Sequence, residues 1–225
     1  VYIFGIDLLA STSASQWLTW VATFTIIAAS CVALTKDNLK ARLAYSTISQ
    51  LAYIVLCAAL ATTAGVLGGG MHIVMHAFGK ITLFFCAGAI LVGAHKTEIS
   101  ELDGLGRRMP FTFGAFLLGS LSVIGLPPMG GSWSKWFLML GAAEAEAWPM
   151  MLVLMASSLL SIGYLMPVVV RGFFRSPPAD DHHGGDGIHE APLLCVLPPV
   201  VTAVGGIALF FFAGDIWNLL TGMAP

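Results

Sequence analysis

Apolar residues in this chain do not alternate at the spacing of a soluble helix or strand. They run for about 18 residues or more, stop at a short charged or Pro/Gly-rich break, and begin again. Runs of that length cross a hydrocarbon core of roughly 30 Å at about 1.5 Å per residue. Read between the breaks, they predict spans at 17–34, 43–62, 66–93, 111–143, 150–170 and 191–214. Lipid offers no partner for a free N–H or C=O, so the backbone is expected to be helical almost throughout. The fold class is therefore an all-α polytopic membrane protein with six transmembrane helices. Its expected divisions are an outer segment at 1–16, a five-span unit at 17–170, a Gly/His/Asp-rich loop at 171–190, a final span at 191–214 and an outer tail at 215–225.

The fourth apolar stretch is too long for one straight crossing. It contains Gly125-Leu126-Pro127-Pro128-Met129-Gly130-Gly131. Two consecutive prolines remove two N–H donors and clash with the preceding turn, and the glycines allow an abrupt change of direction. Two half-helices meeting inside the membrane fit this segment, with a cavity expected beside them because irregular backbone at that depth must face protein or water. An ordinary proline kink is the alternative.

Composition removes the soluble reading. Of the 225 residues 57% are hydrophobic and 10% charged, with a mean hydropathy of +0.87. The chain opens on Val1-Tyr2-Ile3-Phe4 without a signal peptide, and is expected to be a piece of a longer protein. Cys31, Cys57, Cys86 and Cys195 each lie alone in an apolar run, so buried packing is expected of each rather than a metal site or disulfide framework.

Charge supports the span count independently. Lys36, Lys40 and Arg42 fall between the first and second spans, Lys96, Arg107 and Arg108 between the third and fourth, and Arg171 and Arg175 between the fifth and sixth. The other connections and both ends contain no Lys or Arg. This alternation puts every basic loop on one side, cytoplasmic by the positive-inside rule, in a cell inner (plasma) membrane.

Two basic residues remain, Lys80 and Lys135, and both are intramembrane. His72, His76 and Lys80 recur at i, i+4 and i+8, within about 80° of arc on one helix face. An ionisable group there costs about 3 kcal/mol or more, and a proton path is the simplest use for it. Each histidine taken singly also fits a neutral imidazole bonded to a nearby carbonyl. Haem ligation does not fit, because two residues four apart on one helix cannot reach iron from opposite faces. Lys135 falls four residues after Gly131, in the first turn or so of the second half-helix. There burial and the positive end of the helix dipole both disfavour its ammonium form, so that it can load and release a proton. Snorkelling to the interface is the alternative, over a distance on the order of 10 Å.

No carboxylate lies inside a span apart from edge residues such as Glu144, Glu146 and Asp215, so an acidic partner is expected from outside this sequence. Asp180-Asp181-His182-His183-Gly184-Gly185-Asp186, with His189 and Glu190, fits a divalent metal or, more simply, a solvated linker. No phosphate loop, nucleophile triad or nucleic-acid patch is present. Neither a cofactor nor a soluble-type catalytic site is proposed.

Four stretches together resemble the antiporter-like membrane subunits shared by respiratory complex I and the multi-subunit Mrp cation/proton antiporters. They are TKDNLKARLAYSTISQLAYI at 35–54, MHIVMHAFGKITLFFCAGAI at 71–90, ELDGLGRRMP at 101–110 and GLPPMGGSWSKWF at 125–137. The resemblance implies two inverted five-helix repeats, of which this chain would be the second plus a final span, with the fourth helix broken at Gly125–Pro128. It matches Lys80 to the lysine of a central hydrophilic axis, His72 and His76 to its histidine neighbours, and Lys135 to the lysine of the second broken helix. Gly125, Pro127, Pro128, Gly130 and Gly131 match the break. The first repeat's glutamate–lysine pair has no counterpart here. The stretch at 189–217 and the short tail look more like the D-type member of the Mrp antiporters.

The implied function is proton translocation coupled to Na+ or another monovalent cation, beside other membrane subunits in a lipid bilayer. A proton-pumping, non-redox subunit of NADH:quinone oxidoreductase is a second reading. A non-transporting structural subunit is a third.

Overall fold

A computed structural model describes Gly5, Leu8 and residues 13–177 and 187–222. The Asp180–Asp186 candidate and most of the segment at 1–16 lie outside the described residues. Within them the chain is almost wholly helical. The helices are α1 (Ser13–Thr35), α2 (Leu39–Leu60), α3 (Thr63–Ala94), the short α4 (Leu105–Arg108), α5 (Pro110–Ile124), α6 (Gly131–Glu144), α7 (Trp148–Phe174), α8 (Leu193–Phe211) and α9 (Ala213–Thr221). Five of them, α1, α2, α3, α7 and α8, are long and apolar enough to cross a membrane.

The remaining long apolar stretch is divided. α5 closes on Gly125 in the left-handed conformation (φ 92°), residues 126–130 form an irregular connection, and α6 starts at Gly131. This is a true break rather than a kink, because two helices end and begin within the segment. Its free backbone is satisfied by protein: the Gly130 N–H donates to Gly206 O on α8 at 3.0 Å. Gly131 sits so close to α5 that a Cβ there would fall far inside contact distance of the Ser122 carbonyl oxygen.

α3 occupies the centre, packed against α2, α5, α6, α8 and α9. The largest core cluster joins Leu83, Cys86 and Ile90 of α3 to Phe113 and Phe116 of α5 and to Tyr164 and Val168 of α7. Outward faces are apolar as well: Phe24 is 75% and Leu194 84% exposed, as expected for surfaces solvated by lipid or by neighbouring subunits.

The helix ends explain the loop arrangement. Asn38 caps α2 by accepting from Ala41 N, and its amide donates to Glu98. Leu39 N donates to Thr97 O and Ile99 N to Asp37 O, so the first two basic loops are joined by backbone bonds. The third joins them through Gly104 N to Arg171 O and through the Arg171–Asp103 ion pair at 2.7 Å. Hydrogen bonds from Arg171 hold the Asp103 carboxyl below its ordinary range. At the opposite end Thr62 donates to Gly141 O, and Ala64 N donates to Glu144. All three basic loops thus gather at one end of the bundle, as their alternation along the chain predicts.

Four details depart from the sequence reading. Arg42 is not in a loop: it lies buried in the first turn of α2, where Nε donates to Lys36 O and a terminal nitrogen to Tyr164 O, because a guanidinium can serve several carbonyls at once. The final span stops at Phe211, and residues placed in its end and the tail form α9, whose Ile216, Trp217 and Leu220 pack on Met71 and Met75 of α3. Glu190 does not belong to a solvated linker: it accepts from the N–H groups of Phe111 and Thr112 and from the Thr112 hydroxyl, at the α5 N-terminus that begins with Pro110. Cys57 and Cys86 are buried, whereas Cys31 is exposed and Cys195 half-buried, since apolar outward faces accept a thiol as readily as the core does.

Gly131→Ala is expected to destabilise the fold by about 1–3 kcal/mol through overpacking against α5. Gly88→Ala and Gly114→Ala, where a Cβ meets nothing within 4 Å, should be close to neutral. Thermal unfolding in detergent followed by tryptophan fluorescence checks the contrast.

Candidate functional site

The periodicity that put His72, His76 and Lys80 on one face of α3 holds in space: all three are buried, and the two imidazoles stack with centroids 5.5 Å apart. His72 points toward the break, its Nδ1 3.0 Å from Ser134 Oγ of α6. That partner is a hydroxyl, which can donate to or accept from the imidazole. The Nε2 atoms of both histidines are buried without a hydrogen-bond partner among the described residues.

Lys80 leaves this line and crosses to α2. Its Nζ donates to Ser46 Oγ at 2.6 Å and to Leu43 O at 3.2 Å. From Ser46 the polar chain continues to the Tyr164 hydroxyl at 2.8 Å and on to Ser161 Oγ at 2.9 Å. Nearby, Ser30, Ser49 and Ser157 share hydroxyl hydrogen bonds where α1, α2 and α7 meet.

Lys135 is positioned by the break itself. Its Nζ donates to Ile124 O at 3.0 Å, a carbonyl at the C-terminal end of α5, and to Ser158 Oγ of α7 at 3.0 Å, and it lies 5.3 Å from the centre of the Tyr53 ring. The lysine does not snorkel: the residue is only 7% exposed. The dipole argument from sequence is also corrected. Lys135 belongs to the first turns of α6, but its long side chain delivers the charge to the negative end of α5. A cavity of about 480 Å³ lies against the break, with Lys135, Gly125, Pro127, Tyr53 and Ser158 in its wall.

The structure therefore brings His72 to Ser134 of α6 with His76 stacked on it, and carries the Lys80 amine to Ser46 of α2. Ser46, Gln50, Tyr53, Ser134, Ser158 and Tyr164 were missed from sequence, because single hydroxyls and amides in apolar helices carry no distinguishing signal. A weak one exists in retrospect: Ser46, Gln50 and Tyr53 follow at i, i+4 and i+7 on one face of α2. Among the described residues no cluster of His, Cys, Asp or Glu is arranged to hold a metal ion.

A lysine buried beside a broken helix and a second buried against α2, in a bundle of long apolar helices, are the features of an antiporter-like membrane subunit. The chain belongs to the NADH:quinone oxidoreductase/Mrp antiporter transmembrane family, whose model matches residues 1–161. It is 34% identical over 209 residues to NADH-quinone oxidoreductase subunit N of Desulforudis audaxviator (strain MP104C), covering 89% of this chain and 42% of that one. It is 30% identical over 209 residues to NADH-quinone oxidoreductase subunit L of Rickettsia bellii (strain RML369-C), covering 92% and 31%. Among solved structures it resembles a chain of the Mrp complex from Dietzia sp. DQ12-45-1b, with a TM-score of 0.81 at 22% identity over 92% of this chain and 46% of that one. A chain of the membrane-bound sulfane sulfur reductase, an archaeal respiratory membrane complex, gives 0.79 at 25% identity over 87% and 32%. The chain spans less than half the length of these relatives.

A lysine retained for charge rather than packing should be dispensable for stability. Lys80→Met and Lys135→Met are expected to leave the unfolding temperature unchanged or raise it, since an apolar group of similar volume avoids burying an ammonium. A large fall in unfolding temperature would make these lysines structural.

Proposed function

We propose that this chain is the proton-translocating half of a membrane subunit in a multi-subunit monovalent cation/proton antiporter of the Mrp type, with Na+ as the coupled cation. The observation that carries the reading is the pair of buried lysines. Each ammonium is held by one backbone carbonyl and one serine hydroxyl, with no carboxylate of the described residues hydrogen-bonded to either. Such groups are held loosely enough to change protonation state, and the cavity at the break lies next to one of them.

In this reading α5 and α6 together form the fourth of six crossings. The joined basic loops are cytoplasmic, and the membrane is the cell inner (plasma) membrane. Protons exchange between Lys80 and Lys135, with His72 and His76 relaying toward the outer side, each transfer driven by the charge on a neighbouring ionisable group. The divisions at 17–170 and 191–214 correspond to the second five-helix repeat and a final span. The other repeat and neighbouring membrane subunits supply the acidic partner.

A second reading places the same chemistry in a proton-pumping, non-redox subunit of NADH:quinone oxidoreductase. Its support is that the similar curated chains named above are subunits N and L of that enzyme. Copurification with flavin and iron–sulfur subunits separates the two.

In everted vesicles containing the full assembly, Lys135→Ala is expected to abolish the cation-dependent pH change at normal expression. Unaltered transport would sink the assignment.

A further inference from the structure

Another cavity, of about 300 Å³, lies at the end of the bundle where the basic loops gather. Basic side chains from three separate parts of the sequence stand in its wall: His95 and Lys96 just after α3, Arg108 at the end of α4, and His189 on the segment that leads into α8. The backbone fixes this arrangement. His95 takes the left-handed conformation (φ 54°) and its N–H closes α3 on Leu91 O, while the His189 N–H donates to Arg108 O at 2.8 Å. Among the described residues no carboxylate lines the cavity. Those that flank it in sequence are engaged elsewhere: Glu98 accepts from the Asn38 amide, Asp103 pairs with Arg171, and Glu190, next to His189, accepts from Phe111 N and Thr112 N. The wall therefore concentrates N–H donors and positive charge in a concave site.

Three apolar helices also start or stop at this level: α3 ends at Ala94, α5 begins at Pro110 and α8 at Leu193. In a bilayer the ends of such helices lie among the headgroups. Apolar side chains close to the cavity in sequence face outward, with Val92 of α3 49%, Phe111 of α5 61% and Leu193 of α8 75% exposed. A small soluble anion gains nothing from that surface, whereas an amphiphile uses both parts. We propose that this cavity binds the phosphodiester headgroup of an anionic phospholipid, whose acyl chains continue over the exposed apolar surface beside it. Arg108 suits a phosphate because its planar fork donates two parallel hydrogen bonds, and Lys96 adds a compact charge. The two imidazoles each donate an N–H even when neutral. A zwitterionic headgroup brings its own ammonium, which a basic wall disfavours, so lipids of net negative charge are selected. Bound there, the headgroup ties the ends of α3 and α4 to the segment before α8. The inference needs only that the chain is embedded in a bilayer, and stands apart from the proton-translocating reading.

The full assembly in phosphatidylcholine nanodiscs, doped with a phosphatidylglycerol that carries a photoreactive diazirine on its headgroup, provides the test. Illumination is expected to label peptides containing His95, Arg108 or His189, and excess unlabelled phosphatidylglycerol should suppress the label. Lys96→Gln joined to Arg108→Gln should lower the labelling by roughly thirtyfold, the loss expected for removing two basic groups at a membrane surface. Lys40→Gln, which removes a basic residue outside the cavity wall, should leave it unchanged. Absence of label in the unmutated assembly, or equal label in the double variant, overturns the site. Equal labelling by a phosphatidylcholine bearing the same diazirine overturns the selection for negative charge. Suppression by inorganic phosphate identifies a soluble anion and overturns the lipid assignment. Where the double variant does not assemble, a cryo-EM map of the unmutated assembly in phosphatidylglycerol nanodiscs decides. Headgroup density within about 3.2 Å of the Arg108 guanidinium supports the site, and its absence overturns it.

Discussion

A backbone broken inside the membrane must have its exposed polar groups satisfied by protein, and most of this structure follows from that requirement. Pro127 and Pro128 end α5 in the middle of an apolar stretch and leave its last carbonyls without helical partners. One of these, Ile124 O, accepts from the Lys135 ammonium. The next half-helix is fastened by Gly130 N to α8, and Gly131 lets it approach α5 at a distance no other residue permits. The break thus leaves carbonyls free to accept, and Lys135 reaches from α6 to donate to one of them.

The same economy governs the rest of the polar interior. Serine hydroxyls link α1, α2 and α7 without introducing charge, Arg42 ties the start of α2 to Lys36 O and to Tyr164 O of α7, and Arg171 ties the end of α7 to Ser100 O. Among the described residues, Lys80 and Lys135 are each given a carbonyl and a hydroxyl rather than a carboxylate. A carboxylate would fix the ammonium state, whereas neutral oxygens tolerate both the ammonium and the amine. An interior of this kind holds together by apolar packing around α3 and leaves its titratable groups energetically unsettled.

The relationship to complex I and Mrp subunits carries the fold further than the chemistry. A chain of the Mrp complex and a chain of an archaeal respiratory membrane complex share this fold.

The sequence by itself determined the long apolar helices, the break and the place of four ionisable residues along them. Membrane crossing depends on local length and apolarity, proline and glycine act on their own backbone, and a charge in an apolar run is conspicuous wherever it lies. Loop side was equally legible, because Lys36, Arg107 and Arg171 recur in alternate connections. Tertiary structure alone decided where long side chains reach. Lys135 starts at the positive end of one helix and delivers its charge to the negative end of another, and Lys80 leaves the histidine face it shares for Ser46 of α2. Gln50, Tyr53 and Tyr164 were silent for the same reason: a neutral polar group in an apolar helix acquires meaning only from the groups that folding sets opposite it.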